Sequence, residues 1–360
     1  MVEFYIKNNT KEKVIMEKNR LGKTDLFVSR IGFGGIPIQR VSQDDVNEII
    51  DSLIENGVNF IDTARGYTVS EEFLGKALLG KRDKFILATK SMARTYQEMK
   101  EDILKSLKNL QTECIDIYQL HNVKSDEEYN LIMGGNGAYK ALVEAKNEGK
   151  IRYIGITSHS FDFLNSKISL STFPFSTIQF PFNIVEEKAR SLFIEANNKG
   201  IGTIVMKPLA GGAIDNKNLA IKFLLNEKCA NVLIPGMSSV SEVIENTKVK
   251  DEKLTLEEEK EIVKIREELG QDFCRRCGYC LPCTMGIDIP NCFMFEGYYN
   301  RYGLKEWATS RYNKLVKKAS GCIGCKKCME RCPYGLNIVE KLKKVVDTFE
   351  RWENEKFWIE

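Results

Sequence analysis

VNFIDTA (58–64), FILATK (85–90), CIDIYQLH (114–121) and IRYIGITSH (151–159) are short apolar runs that each break off at polar or small residues. Four more have the same form: SRIGFGG (29–35), TIQFPFN (177–183), IGTIVMKPLAGG (201–212) and NVLIPGM (231–237). Between most of them lie stretches with helical spacing, such as DDVNEIIDSLIENG (44–57), KEDILKSLKNLQ (100–111) and EKARSLFIEANNKG (187–200). Continuous apolar strands alternating with amphipathic helices predict a parallel sheet covered by helices. Eight such units in about 230 residues point to an α/β fold of the closed (β/α)8 barrel type rather than an open doubly wound sheet. VIMEKNRLGKTDLFV (14–28), ahead of the first run, reads as a hairpin closing the barrel bottom.

The chain has 360 residues, enough for one barrel and a small appendage. Hydrophobic residues at 43% and charged residues at 29% exclude wholesale disorder. Lys+Arg 53 against Asp+Glu 50 gives +3, too balanced for a nucleic-acid or membrane-surface partner. No apolar run approaches the ~18 residues of a membrane span, and MVEFYIKNNTKEKV lacks an apolar signal core, so a cytoplasmic location is expected. Composition divides the chain into an arm (1–16), the barrel (17–265), a small α-rich cysteine domain (266–345) and a helical tail (346–360). The charged stretch LTLEEEKEIVKIREELG (254–270) reads as a linking helix.

Chemistry in such a barrel sits at the C-terminal strand ends. Those ends carry Asp62 and Tyr67, Lys90, and His121 on three successive runs. Each has a plain alternative: a helix cap, a loop aromatic, a surface charge, a core histidine. Together they make one mechanism. Asp62 would hold Lys90, and the Lys90 ammonium would lower the Tyr67 phenol from its usual ~10. Tyr67 would then protonate a carbonyl oxygen, oriented by a neutral His121, as hydride reaches the carbon.

Nine of eleven cysteines lie between Cys274 and Cys332, while Cys114 and Cys229 read as core residues. Cys322, Cys325, Cys328 and Cys332 form C-x2-C-x2-C-x3-C followed by Pro333, the spacing of a bacterial ferredoxin. Cys274, Cys277, Cys280 and Cys283 form a second run, and Cys292 is spare. Two runs imply two [4Fe–4S] clusters with crossed ligation: Cys274, Cys277 and Cys280 with Cys332, and Cys322, Cys325 and Cys328 with Cys283 or Cys292. The alternative, a pair of zinc ribbons, leaves the third cysteine of each run unexplained. Clusters of this kind favour a reducing, anaerobic setting.

From about 17 to 250 the sequence resembles the aldo-keto reductases, and the whole chain resembles their branch with a C-terminal ferredoxin-type domain. The likeness rests on RLGKTDLFVSRIGFGG, FIDTARGY, ATK, YQLH, YIGITSHS, IQFPFN and LIPGMSSVSEVIEN. It implies a catalytic tetrad of Asp62, Tyr67, Lys90 and His121, and an NAD(P)(H) coenzyme held without a Rossmann fold. It places Gly34, Gly35 and Met206 along the coenzyme, and Thr157, Ser158 and Gln179 at the nicotinamide amide. Lys207, Leu209 and Gly211 match the pyrophosphate loop. Gly236, Met237 and Ser238 match the adenosine-phosphate end, and Asn246 an adenine contact. Met206 stands where many members carry an aromatic ring, Gly236 replaces a frequent lysine, and Thr68 replaces a common glycine. Glu242 stands where NADPH users carry an arginine, which favours NADH. The substrate class implied is a small carbonyl or alcohol. Met133, Phe182, Tyr298 and Tyr299 are candidates for an apolar substrate wall. Two other functions stay open: an electron-transfer protein served by a ferredoxin- or flavodoxin-type partner, and a redox-sensing nucleotide-binding barrel.

Overall fold

The computed structural model describes residues 16–270, 273–276, 278–332 and 334–350. Most of the expected arm, the last ten residues of the tail, Cys277 and Pro333 lie outside that description.

The expected hairpin forms from β1 (Lys18–Arg20) and β2 (Phe27–Ser29), paired antiparallel. The eight apolar runs become β3 (Phe33–Gly34), β4 (Phe60–Asp62), β5 (Ile86–Ser91), β6 (Ile115–Leu120), β7 (Ile151–Thr157), β8 (Thr177–Pro181), β9 (Gly202–Met206) and β10 (Val232–Ile234). Neighbours pair in parallel in sequence order. The bridges Ile31↔Leu233 and Gly34↔Gly236 join the last strand to the first and close the barrel. Strands buried on both faces explain the continuous apolar runs. Phe60, Ala88, Ile117, Ile204 and Val232 fill the interior, and Leu21, Leu26 and Val28 of the hairpin cap it from below.

Outside the sheet lie the helices, several of which begin at side-chain caps. Ser42 with Asp45 and Thr95 with Glu98 form reciprocal capping boxes at Gln43–Glu55 and Tyr96–Asn109. The helix Leu256–Gly270 packs Ile262, Ile265 and Leu269 into the barrel's outer core, which Phe273 also joins. The expected division at 265/266 therefore runs through this helix.

The cysteine region is helical: Ile289–Asn300, Lys305–Asn313 and Ile338–Phe349 enclose a second core. It sits on the C-terminal end of the barrel. Arg275 Nη2 donates to the Val185 carbonyl at 3.4 Å, and the Tyr279 hydroxyl donates to Asp162. Among the described residues no helix is long and apolar enough to cross a membrane.

Candidate active site

Asp62 ends β4, and Lys90 and Gln119 stand level on β5 and β6. Alternation turns all three inward at the top of the barrel. Lys90 Nζ donates to Asp62 Oδ2 at 2.5 Å and to the Thr63 carbonyl at 2.8 Å. Gln119 Nε2 donates to Asp62 Oδ1 at 3.1 Å. The Lys90 ammonium lies 5.1 Å from the centre of the Tyr67 ring, and the His121 ring meets Tyr67 edge-on at 6.2 Å. The four residues expected to act together are thus gathered at one point.

Their electrostatics differ from the expectation in one respect. Burial first, and then the Asp62 charge, raises the Tyr67 phenol well above its ordinary value. The expected lowering by Lys90 is corrected: that ammonium is already matched by Asp62, and the site is too dry to favour a phenolate. Burial pushes Asp62 up and Lys90 down, each opposed by its partner. Burial, then the Lys90 and Arg94 charges, hold His121 well below its ordinary value, so the imidazole is neutral as expected.

The loop carrying Tyr67 is fixed from beneath. The Thr63 and Ser70 hydroxyls share a bond of 2.8 Å, and Ser70 Oγ donates to the Gly35 carbonyl at 2.9 Å. Arg65 pairs with Glu71, whose carboxylate also accepts from Thr89 and Ser106 at 2.8 Å each. Glu71 is 1% exposed, a buried charge that its place in the polar stretch SEEFLGK did not announce. Thr68 has φ +40, a left-handed conformation costly for a branched side chain. That is the physical reason a glycine suits this position.

Above the tetrad lies a cleft of about 1150 Å³. Gly34, Gly35, Asp62, Tyr67, Gln179, Met206, Lys207, Leu209, Gly211, Gly236 and Glu242 line it. Several expected coenzyme residues do not. Met237 is fully buried, Asn246 is 2% exposed, and Ser158 Oγ is engaged with residue 160. Thr157 Oγ1 accepts from the Asn122 amide at 2.7 Å. Ser238 stands at the rim between Arg40, which donates to its Oγ at 3.0 Å, and Glu242, which accepts from its amide at 2.6 Å. Arg40 and Lys217 line the cleft and were not foreseen, since their side chains enter it only through the tertiary fold. Tyr298, Arg301 and Tyr302 of the cysteine region also line it. Of the expected substrate-wall residues only Tyr298 does so. Tyr299 packs on Phe349, Phe182 on Phe193 and Phe223, and Met133 on the barrel core.

The residues present fit a nicotinamide nucleotide. Gln179 lines the cleft, and its Oε1 is a buried acceptor without a partner among the described residues, suited to an amide donor. Cations and glycines border the middle of the cleft, where phosphates need close backbone approach.

The cysteines also fit the crossed arrangement. Cys280 and Cys328 are buried in the second core, with Cys274, Cys283, Cys322 and Cys332 packed against it. Arg331 Nη2 donates to the carbonyls of Cys280 and Pro282 at 2.9 and 2.8 Å, tying the end of each run to the other. Thr284 Oγ1 and Cys325 Sγ are 3.6 Å apart, which sets Cys283 beside the second run. Cys292 is fully buried on a helix, and burial pushes its thiol up to about 12. Among the described residues no three His, Cys, Asp or Glu groups converge on a single-ion site. Outside this region Cys229 is buried as expected, while Cys114 is half-buried.

The Aldo/keto reductase family matches residues 30–220, and the 4Fe-4S dicluster domain matches 273–337. L-galactose dehydrogenase of Arabidopsis thaliana is 27% identical over 280 residues, covering 64% of this chain and 87% of that protein. Methylglyoxal reductase DkgA of Escherichia coli is 28% identical over 261 residues, covering 66% and 91%. The holo form of aldo-keto reductase AKR11C1 from Bacillus halodurans superposes with a TM-score of 0.59 at 28% identity, covering 69% of this chain and 96% of that one. With the parallel barrel and its C-terminal helical iron–sulfur domain, these matches establish that the chain belongs to the aldo/keto reductase family and is an oxidoreductase of that type carrying a 4Fe-4S domain.

Proposed function

We propose that the protein interconverts a small carbonyl compound and its alcohol with NAD(P)(H), NADH being favoured, using Tyr67 as the proton donor. The observation that carries this reading is the buried Asp62–Lys90 pair against the Tyr67 ring, beside a neutral imidazole, at the floor of the cleft. When bound, the coenzyme supplies or accepts the hydride. Tyr67 keeps its proton until a carbonyl oxygen draws it, because burial disfavours the phenolate. The Lys90 charge stands ready to stabilise that anion as it develops. His121 donates a hydrogen bond without adding charge, and Gln119 with Asp62 keeps Lys90 from swinging away. Gln179 would hold the nicotinamide amide, and Lys207 with Arg40 the phosphates. Glu242 supports NADH, because a 2′-phosphate near Ser238 would meet its carboxylate. The similarity to a dehydrogenase of L-galactose and a reductase of methylglyoxal supports a small polar carbonyl or alcohol substrate.

We further propose two [4Fe–4S] clusters, on Cys274, Cys277, Cys280 and Cys332, and on Cys322, Cys325, Cys328 and Cys283. The barrel unit runs to about residue 270, since the helix Leu256–Gly270 packs into its core. The deciding experiment is aldehyde reduction by anaerobically purified protein with NADH, compared with Tyr67→Phe. A loss of about 10²-fold or more in kcat for the variant, with coenzyme affinity retained, is expected. Equal rates would overturn the assignment.

A further inference from the structure

Lys90 stands on β5 between Thr89 and Ser91, which are fully buried and whose side chains alternate to the outer side of the sheet. Each is held there by a carboxylate. The Thr89 hydroxyl donates to Glu71 Oε1 at 2.8 Å, and the Ser91 hydroxyl donates to Asp102 Oδ2. Both carboxylates lead to one guanidinium. Arg65 pairs through Nη1 with Glu71, and its Nε lies 3.6 Å from Asp102 Oδ1. Ser106, four residues after Asp102 on the helix Tyr96–Asn109, joins the two arms by donating to Glu71 Oε1 at 2.8 Å.

Arg65 is also where the loop leaving β4 meets this strand. Its amide donates to the Lys90 carbonyl at 3.0 Å. Tyr67 follows two residues later in a tight turn, its amide donating to the Ala64 carbonyl at 3.0 Å and its carbonyl accepting from the Ser70 amide at 2.8 Å. The His121 amide donates to the Ser91 carbonyl at 2.9 Å, so β6 is tied to the same strand. A ring of polar contacts therefore runs from Arg65 through Glu71 to Thr89, and from Ser91 through Asp102 back to Arg65, with Lys90 at its centre. The set holds one cation and two carboxylates; Glu71 is buried, while Asp102 is 29% exposed and keeps water on its charge. Burial alone does not call for such charges, since apolar residues of the same shape often give equal stability. What a guanidinium between two carboxylates adds is direction, because its planar fork bonds well only where both partners lie.

We propose that Arg65, held by Glu71 and Asp102, is a positioning residue of the reaction: it fixes the turn that carries Tyr67 against the strand that carries Lys90, and so sets where the phenol stands relative to the ammonium. This rests on the carbonyl–alcohol reading above. Arg65 does not line the cleft, so its effect on the reaction passes through the Tyr67 turn.

The test is a double-mutant cycle on the intact iron-loaded protein, pairing Arg65→Met with Tyr67→Phe and following aldehyde reduction and NADH binding. Arg65→Met alone should lower kcat about tenfold or more, with the Kd for NADH within about twofold of the wild type. In the Tyr67→Phe background the same change should cost less than about twofold of the residual rate, because no phenol is left to place. Arg65→Lys keeps a cation for Glu71 but lacks the fork. It should show a smaller loss of kcat, again confined to the protein that has Tyr67, and it decides the matter should the methionine variant fail to fold. An equal loss in both backgrounds overturns the proposal, since Arg65 would then support the scaffold at large. So does a kcat that neither substitution changes. Both of those results leave Tyr67 in its role. If Tyr67→Phe itself keeps the wild-type rate, the carbonyl reading falls and the positioning role falls with it.

Discussion

Arg301, in the iron–sulfur domain, donates a hydrogen bond from Nε to the backbone carbonyl of Gly211 in the loop after β9. Gly211 and Gly212 both have positive φ, +68 and +79, and a Cβ on Gly211 would stand 3.3 Å from the Tyr302 hydroxyl. The loop expected to cover the coenzyme is thus held by the domain beside it. Removing Arg301 takes away the bond without introducing a clash. In Arg301→Ala, amide hydrogen exchange should rise across 207–212, and coenzyme Kd should change several-fold. Unchanged exchange there would mean that the two domains merely touch.

The Asp62–Lys90 pair is nearly inaccessible to water, and breaking one side strands the other. Asp62→Asn should therefore cost about 3–5 kcal/mol in unfolding free energy, far above a surface ion pair. Asp62→Asn combined with Lys90→Met removes both charges. It should regain much of that stability while activity stays lost. Denaturant titration of the two single variants and the double variant measures the coupling, and strictly additive losses would contradict it.

Much of this was legible in the sequence because the decisive signals are local. Runs such as VNFIDTA and FILATK are mostly apolar because the barrel strands are largely buried on both faces, and Asp62, Lys90 and His121 stand out as polar residues at strand ends. The cysteine spacing is likewise local. Burial and long-range contact were not legible. Glu71 looks like a solvated helix residue, yet it accepts from Thr89 and Ser106 in the interior. Arg40 and Tyr302 enter the cleft only when distant segments meet. The sign of the Tyr67 shift followed from burial, which no residue pattern states.

His121 and His159 are both held well below the ordinary imidazole value: His121 by burial, Lys90 and Arg94, and His159 by burial, Arg276 and His121. Below the unfolded value near 6.5 the unfolded chain takes up protons that the folded chain refuses, so stability falls as pH falls. The slope approaches about 1.4 kcal/mol per pH unit for each histidine. Asp62 and Glu186, raised by burial, act in the opposite direction. Comparing the wild type with His121→Gln plus His159→Gln cancels them. Between pH 7.5 and 5.5 the wild type should lose about 3 kcal/mol more than the double variant. Parallel curves would show that neither imidazole is held neutral.

Glu242 accepts from both the amide and the hydroxyl of Ser238, while Arg40 donates to that same hydroxyl. The rim of the cleft therefore carries a carboxylate and a guanidinium around one serine. Replacing Glu242 by Gln removes the repulsion and leaves Arg40 in place. The ratio of kcat/KM for NADH over NADPH should fall about tenfold, equivalent to about 1.4 kcal/mol. A ratio that does not move would take Glu242 out of coenzyme choice.

Cys274 lines a cavity with Lys207 and Tyr302, which also line the cleft over Tyr67, so one cluster would stand close to that cleft. Proximity alone does not make an electron path. Nicotinamide gives two electrons as hydride and a [4Fe–4S] cluster accepts one, so exchange between them ordinarily passes through a flavin. The sequence has no GxGxxG opening a helix. On the carbonyl-reductase reading, the visible absorbance of the anaerobic protein should persist when NADH is added without substrate, and should bleach with dithionite. Cys322→Ser, if it remains folded with its other cluster, should keep aldehyde reductase activity within a few-fold. Bleaching by NADH alone would reverse the order of the two functions. The barrel would then feed the clusters, and the aromatic wall of Tyr298 and Tyr302 between them would be the first place to look for the route.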